Sequence, residues 1–258
     1  GNVETTRAWD IDGDGVLELV PNTPGRPDVC VFKLRLQNGK GTGQFDRHII
    51  YTFPAGQRQG HGLGCGDIAG NGSMEIVLCR GWLECPPRPW EDAWIWHPEI
   101  TLDWGGSSVP MLVVDVNGDG MNDIIVGNGH GYGLLWLEQR RGADGSRTWV
   151  KHPIDPFNAQ YHDLMWVDID GDGQPELVTG KRHRAHCGRE PGEWDDLGIY
   201  VFKWTGEGFA KQIVDYGPIG EGKGCGIHFA VADLRGTGRL DIVAPGKDGL
   251  YVYFNEGT

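Results

Sequence analysis

The chain lacks three things: an apolar run approaching the roughly 18 residues of a membrane-spanning helix, a CxxC cysteine pair, and an excess of basic side chains. The first absence excludes insertion into a membrane as a helix. The six cysteines (Cys30, Cys65, Cys79, Cys85, Cys187 and Cys225) are even in number, but a chain of 258 residues has room for an apolar core and does not need disulfide staples. They read as buried small side chains. With 23 Lys and Arg against 36 Asp and Glu, the formal charge is −13, which excludes nucleic acid as the main partner because phosphate binding wants a basic face. Glycine is plentiful at 43 residues, alongside 15 prolines, as suits many short strands joined by tight turns.

One acidic segment occurs five times. It runs Asp10-Ile-Asp12-Gly-Asp14-Gly-Val-Leu-Glu18, and returns as Asp67-Ile-Ala69-Gly-Asn71-Gly-Ser-Met-Glu75, Asp115-Val-Asn117-Gly-Asp119-Gly-Met-Asn-Asp123, Asp168-Ile-Asp170-Gly-Asp172-Gly-Gln-Pro-Glu176 and Asp233-Leu-Arg235-Gly-Thr237-Gly-Arg-Leu-Asp241. The copies stand roughly 50 to 65 residues apart, a spacing typical of repeat architectures. Around the third copy, Met111 to Val114, Asp123 to Gly127, Tyr132 to Leu137 and Thr148 to Pro153 form four β-branched and aromatic runs bounded by turn residues. The fourth copy follows the same plan. Four antiparallel strands repeated at this period predict an all-β propeller, a single domain over 1–258 with blades at about 1–53, 54–104, 105–157, 158–219 and 220–258. The last blade shows three strands. Five repeats either close by themselves or belong to a larger ring completed by further blades or domains of a parent chain.

Oxygen-bearing side chains at positions one, three, five and nine, with a glycine at six for the turn, surround one point in the manner of a calcium loop. Asp10, Asp12, Asp14 and Glu18, then Asp115, Asn117, Asp119 and Asp123, then Asp168, Asp170, Asp172 and Glu176 are the complete sets expected to hold structural Ca2+. The second copy has Ala69 at a ligand position. The fifth has Arg235, whose guanidinium can replace the ion's charge.

These loops join first to second strands, so the entrances of the inner strands lie on the opposite rim. His61 and His162 each stand six residues before their repeat's first aspartate, and His228 five before Asp233. Imidazoles from different blades converging on one axis are suited to Zn2+ with an open position. The same rim receives His130 and Tyr132, Arg80 and Trp82, Lys247, and the insertion that begins Lys181-Arg182-His183-Arg184. Trp90, Trp94 and Trp96 lie in a second, proline-rich insertion, where an exposed indole would stack on a sugar ring.

The acidic loops with their following Glu-Leu-Val and Asp-Ile-Val runs resemble the FG-GAP/VCBS repeats of integrin-type propellers. Tyr161-His-Asp-Leu, Thr179-Gly-Lys-Arg-His-Arg-Ala-His186 and Ala244-Pro-Gly-Lys-Asp-Gly-Leu-Tyr251 resemble the propeller domain of the aldos-2-ulose dehydratases and their bacterial relatives. That second resemblance implies a seven-bladed ring with zinc at the bottom of a cleft where a ketosugar loses water. The rhamnose-glucuronate lyases would use a similar face for β-elimination. An extracellular or periplasmic location goes with such repeats.

The expectation is therefore a carbon–oxygen lyase or sugar dehydratase acting on a ketosugar or uronate. Zinc would be held by His61, His162 and His228, His130 or Tyr161 would move the proton, and Lys181 and Arg182 would stabilise enolate charge. The rival is a calcium-stabilised, non-catalytic module that binds glycan or protein.

Overall fold

A computed structural model describes residues 3–184, 186 and 188–257; Cys187 lies outside the described residues. Every regular element among them is a strand. The first sheet holds β1 (Thr5–Trp9), β2 (Glu18–Asn22), β3 (Asp28–Gln37) and β4 (Lys40–Thr52) in chain order. β5 (Leu63–Gly66), β6 (Glu75–Leu78), β7 (Gly81–Glu84) and β8 (Ile95–His97) form the second unit; β9 (Met111–Val114), β10 (Asp123–Gly127), β11 (Tyr132–Arg141) and β12 (Arg147–Ala159) form the third. The fourth comprises β13 (Tyr161–Val167), β14 (Glu176–Lys181), β15 (Leu197–Trp204) and β16 (Phe209–Gly217). The fifth has three strands, β17 (Ala230–Ala232), β18 (Asp241–Gly246) and β19 (Gly249–Tyr253).

Four separate four-stranded sheets are not what the chain builds. β5 and β9 pair in parallel through Gly64 with Met111 and Cys65 with Leu112, fusing the second and third units into one eight-stranded sheet. The cause is local. A Cβ on Gly64 would stand 2.2 Å from the Met111 carbonyl oxygen, so the missing side chain admits the neighbouring strand to hydrogen-bonding range.

The second, third and fourth units bury both faces against their neighbours. Ile76 and Leu78 pack with Val20 and Val31 of the first sheet, whereas Val77 between them packs with Met111 and Ile124 of the third unit. Ile125 turns to Leu164 and Leu177 of the fourth sheet, and Val178 to Ile242 and Ala244 of the fifth. Period-two alternation therefore sends successive residues into two different cores, which is why the second strands read as unbroken apolar runs.

First and last sheets also meet. Thr5 Oγ1 lies 2.9 Å from His228 Nε2. The buried Asp163 carboxylate accepts hydrogen bonds from the Arg7 guanidinium at 2.5 Å and from the Phe229 amide at 3.0 Å, tying the first, fourth and fifth sheets together. The five described cysteines, Cys30, Cys65, Cys79, Cys85 and Cys225, are free thiols. No helix of the described residues is long and apolar enough to cross a membrane.

Candidate functional site

His61 enters at the approach to β5 and forms a parallel bridge with Gly106; its carbonyl accepts the Ser107 amide at 2.8 Å. His162 is the second residue of β13, where an irregular register between Tyr161 and Leu164 interrupts the pairing with β14. His130 sits on the β10–β11 turn, which Asn128 clasps by accepting the His130 amide and donating to the Tyr132 carbonyl. Two glycines let that turn fold inward. A Cβ on Gly106 would meet the His130 ring at 2.5 Å, and one on Gly129 the His162 ring at 3.2 Å.

The three imidazoles converge. Each offers a nitrogen lying within 4.8 Å of the others, and the centroids of the His61 and His130 rings are 4.4 Å apart. Nδ1 of His61 lies 2.7 Å from the Ser107 carbonyl, and Nδ1 of His130 lies 2.5 Å from Glu190 Oε1. Carbonyls and carboxylates at neutral pH only accept, so both Nδ1 atoms carry a proton, which leaves Nε2 as the nitrogen each ring can offer to a metal. Those Nε2 atoms, and both ring nitrogens of His162, are buried without a hydrogen-bond partner. Burial, with the neighbouring His162 and His130 rings, pushes His61 down to about 4. Burial lowers His162 as well. Both are thus held in the neutral form that ligates metal. Orphaned, neutral, convergent imidazoles are a donor set that fits zinc.

A carboxylate closes one side. Glu4 Oε1 lies 3.3 Å from His61 Nε2 and 3.8 Å from His162 Nε2. On the other side Glu190 collects His130, the Gln160 amide at 3.0 Å and the Arg182 guanidinium at 3.1 Å. Arg182 also donates to the Gly129 carbonyl at 2.7 Å, so it braces the His130 turn. Glu4 and Arg182, which contact this cluster, also line a neighbouring cleft of about 520 Å3 together with His183, His186, His228 and Lys247; the three imidazoles are not among its lining residues.

Several expected site residues lie elsewhere. His228 is not in the imidazole cluster: it bonds Thr5 and lies 3.5 Å from Asp163, at the edge of the cleft. One residue out of step with His61 and His162, it meets the first sheet instead, and His130 supplies the third ring. Tyr161 is buried in the core between the third and fourth units, donating to Asp155 at 2.8 Å, because strand alternation sends it to the face opposite His162. Lys181 is buried and donates to the Gly192 carbonyl at 2.5 Å, pinning the insertion rather than facing the imidazoles. The tryptophans are structural too. Trp82 is buried and stacked on His97, Trp94 is buried, Trp96 packs against the core, and Trp90 donates to Asp12 at 2.6 Å. Glu4 and Glu190 carried no signal in the sequence, since neither belongs to a repeat position.

In the acidic loops, the first aspartate of each copy caps the turn's own amides. Asp115 accepts from Gly118 at 2.8 Å and Gly120 at 2.9 Å, and Asp168 does the same for Gly171 and Gly173. Asn117 donates to Asp119 at 3.2 Å. The ninth residue is buried; Asp123 accepts from the Val116 and Gln139 amides, and burial pushes its carboxyl up to about 6. In the first and fourth copies, however, a lysine stands among the carboxylates. Lys33 reaches Asp12, Asp14 and Glu18, and Lys203 reaches Asp170, Asp172 and Glu176. In the same two loops Asp10, Asp12 and Glu18, and Asp168, Asp170 and Glu176, each offer an oxygen within 4.8 Å of the others, close enough to share one cation.

Comparison with known proteins identifies residues 115–179 as matching the FG-GAP-like repeat. A human protein, FAM234B, is 31% identical over 83 residues, covering 29% of this chain and 13% of that protein. An Agrocybe aegerita lectin that recognises non-reducing terminal N-acetylglucosamine superposes with a TM-score of 0.54 at 20% identity, over 98% of this chain and 63% of that one. The V. cholerae biofilm matrix protein Bap1 is more distant, with a TM-score of 0.39 at 18% identity over 88% of this chain and 30% of that one. The chain thus spans less than two thirds of the length of each of these relatives. The chain carries an FG-GAP-like repeat at 115–179, and its all-β, propeller-like repeat fold is similar to that of the lectin.

Proposed function

We propose that this chain is a carbohydrate-binding β-repeat module whose ligand site is a zinc centre on His61, His130 and His162, together with the cleft beside them. The observation that carries the reading is the set of four buried, unpartnered imidazole nitrogens on those three residues. Three protein ligands leave a position free, and zinc bound there would polarise a ligand oxygen. Glu190 orients His130, Ser107 orients His61, and Glu4 supplies an ionised carboxylate at the open side. His183, His186 and Lys247 give the cleft the convergent donors that a polyhydroxylated ligand needs. The reading rests on this cleft, not on the ligand of the Agrocybe aegerita lectin.

Binding is favoured over elimination because two of the expected acid–base and enolate-stabilising groups, Tyr161 and Lys181, are spent on Asp155 and Gly192 away from the imidazoles. One observation keeps metal-assisted elimination as the second reading. His186, half exposed at the cleft, has Nε2 3.5 Å from Glu190 Oε1, an acid–base pair beside the metal.

Elemental analysis and glycan-binding assays test both readings. One zinc per chain is expected, with glycan binding lost in a chelator and restored by zinc, and with both properties lost in the His61→Ala/His162→Ala variant. Glycan binding indifferent to chelation and to that variant would overturn the proposal. Release of an unsaturated, ultraviolet-absorbing sugar would establish the second reading over the first.

A further inference from the structure

Lys33 Nζ lies 2.5 Å from Asp12 Oδ2, 2.6 Å from Asp14 Oδ2 and 3.2 Å from Glu18 Oε1. Lys203 Nζ bonds Asp170 Oδ2 and lies 2.6 Å from Asp172 Oδ2 and 3.3 Å from Glu176 Oε1. In both copies the contacted residues are the third, fifth and ninth of the repeat. The match is set by sheet register. Leu19 faces Phe32, which places Glu18 beside Lys33, and Leu177 faces Phe202, which places Glu176 beside Lys203. At the same register the second unit has Glu84, beyond the Ile76–Leu83 pair, and the third has Glu138, beyond Ile124–Leu137. The fifth loop receives Arg235 from its own third position, 3.1 Å from Asp241.

We propose that Lys33 and Lys203 are built-in counter-cations that close the first and fourth acidic loops in place of calcium. The ammonium stands within hydrogen-bonding distance of the oxygens a calcium ion would need, and calcium wants six to eight of them at about 2.3–2.6 Å. A calcium ion would therefore have to displace the ammonium from the same carboxylate oxygens before it could bind. Three hydrogen bonds from Lys33, and two with an added ion pair from Lys203, also fasten the β1–β2 and β13–β14 turns to the third strand of their own sheets. These two turns are therefore ordered without any ion.

Terbium luminescence in the full chain tests this, because Tb3+ enters calcium sites and is sensitised by a nearby indole. Trp90 is that indole for the first loop alone: its Nε1 lies 2.6 Å from Asp12 Oδ2, and Lys33 Nζ is 5.4 Å from its ring. The Trp90-dependent signal is taken as the difference between each protein and its Trp90→Phe counterpart. The expected result is none in the unaltered chain, and a calcium-competed signal in Lys33→Met. A calcium-competed, Trp90-dependent signal in the unaltered chain would overturn the proposal, whether or not Lys33→Met folds. So would its absence from a Lys33→Met protein with unchanged circular dichroism. For the fourth loop, calorimetry should count one more calcium per chain in Lys203→Met than in the unaltered protein; an equal count overturns the assignment there.

Discussion

Glu190 decides which nitrogen of His130 is available. By holding the Nδ1 proton, its carboxylate fixes the ring so that Nε2 faces His61 and His162, the outer contact that ligating histidines generally have. Glu190→Gln keeps the shape and removes the charge. Zinc affinity should fall by about 10- to 100-fold, read by competition with a chromophoric chelator.

Glu75 shows the opposite electrostatic situation. It is buried, its Oε2 accepts the Ala69 amide at 3.1 Å, and its Oε1 has no partner. Burial pushes this carboxyl up to about 7 from an ordinary 4.5. The folded state therefore keeps a proton that the unfolded chain releases. Below pH 4.5 the group is protonated in both states, and stability is lost as pH rises from 4.5 through about 7. Glu75→Gln should gain midpoint temperature relative to the unaltered chain as pH is raised from 5 to 8; parallel curves would refute this.

At the level of strands, Asp155 on β12 gathers the Tyr161 hydroxyl, the Asn158 amide at 2.8 Å and the Lys211 ammonium of β16 at 2.6 Å, joining the third and fourth units. Burial raises its carboxyl, but the contacts with Lys211, Asn158, Phe157 and Tyr161 prevail and leave it at about 2. Its contribution is present above its unfolded value of 3.8 and is lost as pH falls toward 2. Asp155→Ala strands Tyr161 and Lys211 and should cost about 3 kcal/mol in urea unfolding.

Strands are also where the limits of the sequence show. Alternation and turn residues marked the third and fourth units well, because each second strand faces two cores. The parallel β5–β9 pairing was not legible, for it depends on the space over Gly64. Nor were the loop lysines: the turns from second to third strand differ in length, from Asn22 to Asp28 in one sheet and from Lys181 to Leu197 in another. No fixed sequence spacing therefore links Lys33 and Lys203 to their carboxylates. Of the imidazoles, the aspartates served as a ruler for His61 and His162, which do lie together. His130 reaches them through glycine-permitted folding of a turn, which no strand register predicts.

For the molecule as a whole, Asp163 is the crossing point. Arg7 from the first sheet and the Phe229 amide from the approach to the fifth converge on one buried carboxylate in the fourth, and Arg7 also donates to the Val109 carbonyl at 2.6 Å. Asp163→Ala should destabilise by about 3–5 kcal/mol, since it leaves a guanidinium without its partner inside the protein. Limited proteolysis should then cut first near Thr5 and near Ile227, releasing the two ends of the chain before the sheets between them. Cleavage confined to the 181–197 insertion would contradict this role.

The contact between Thr5 and His228 joins residues 223 apart in the chain. Such a bond sets a timetable. Central sheets are made of hairpins that close as soon as their own strands exist, but β1 cannot reach its final neighbours until the fifth sheet has been synthesised and has emerged. Although β1 is synthesised well before the fifth sheet, it is thus among the last of these strands to lock, and the rate of that step is governed by loop closure over the 223 residues that separate the two partners.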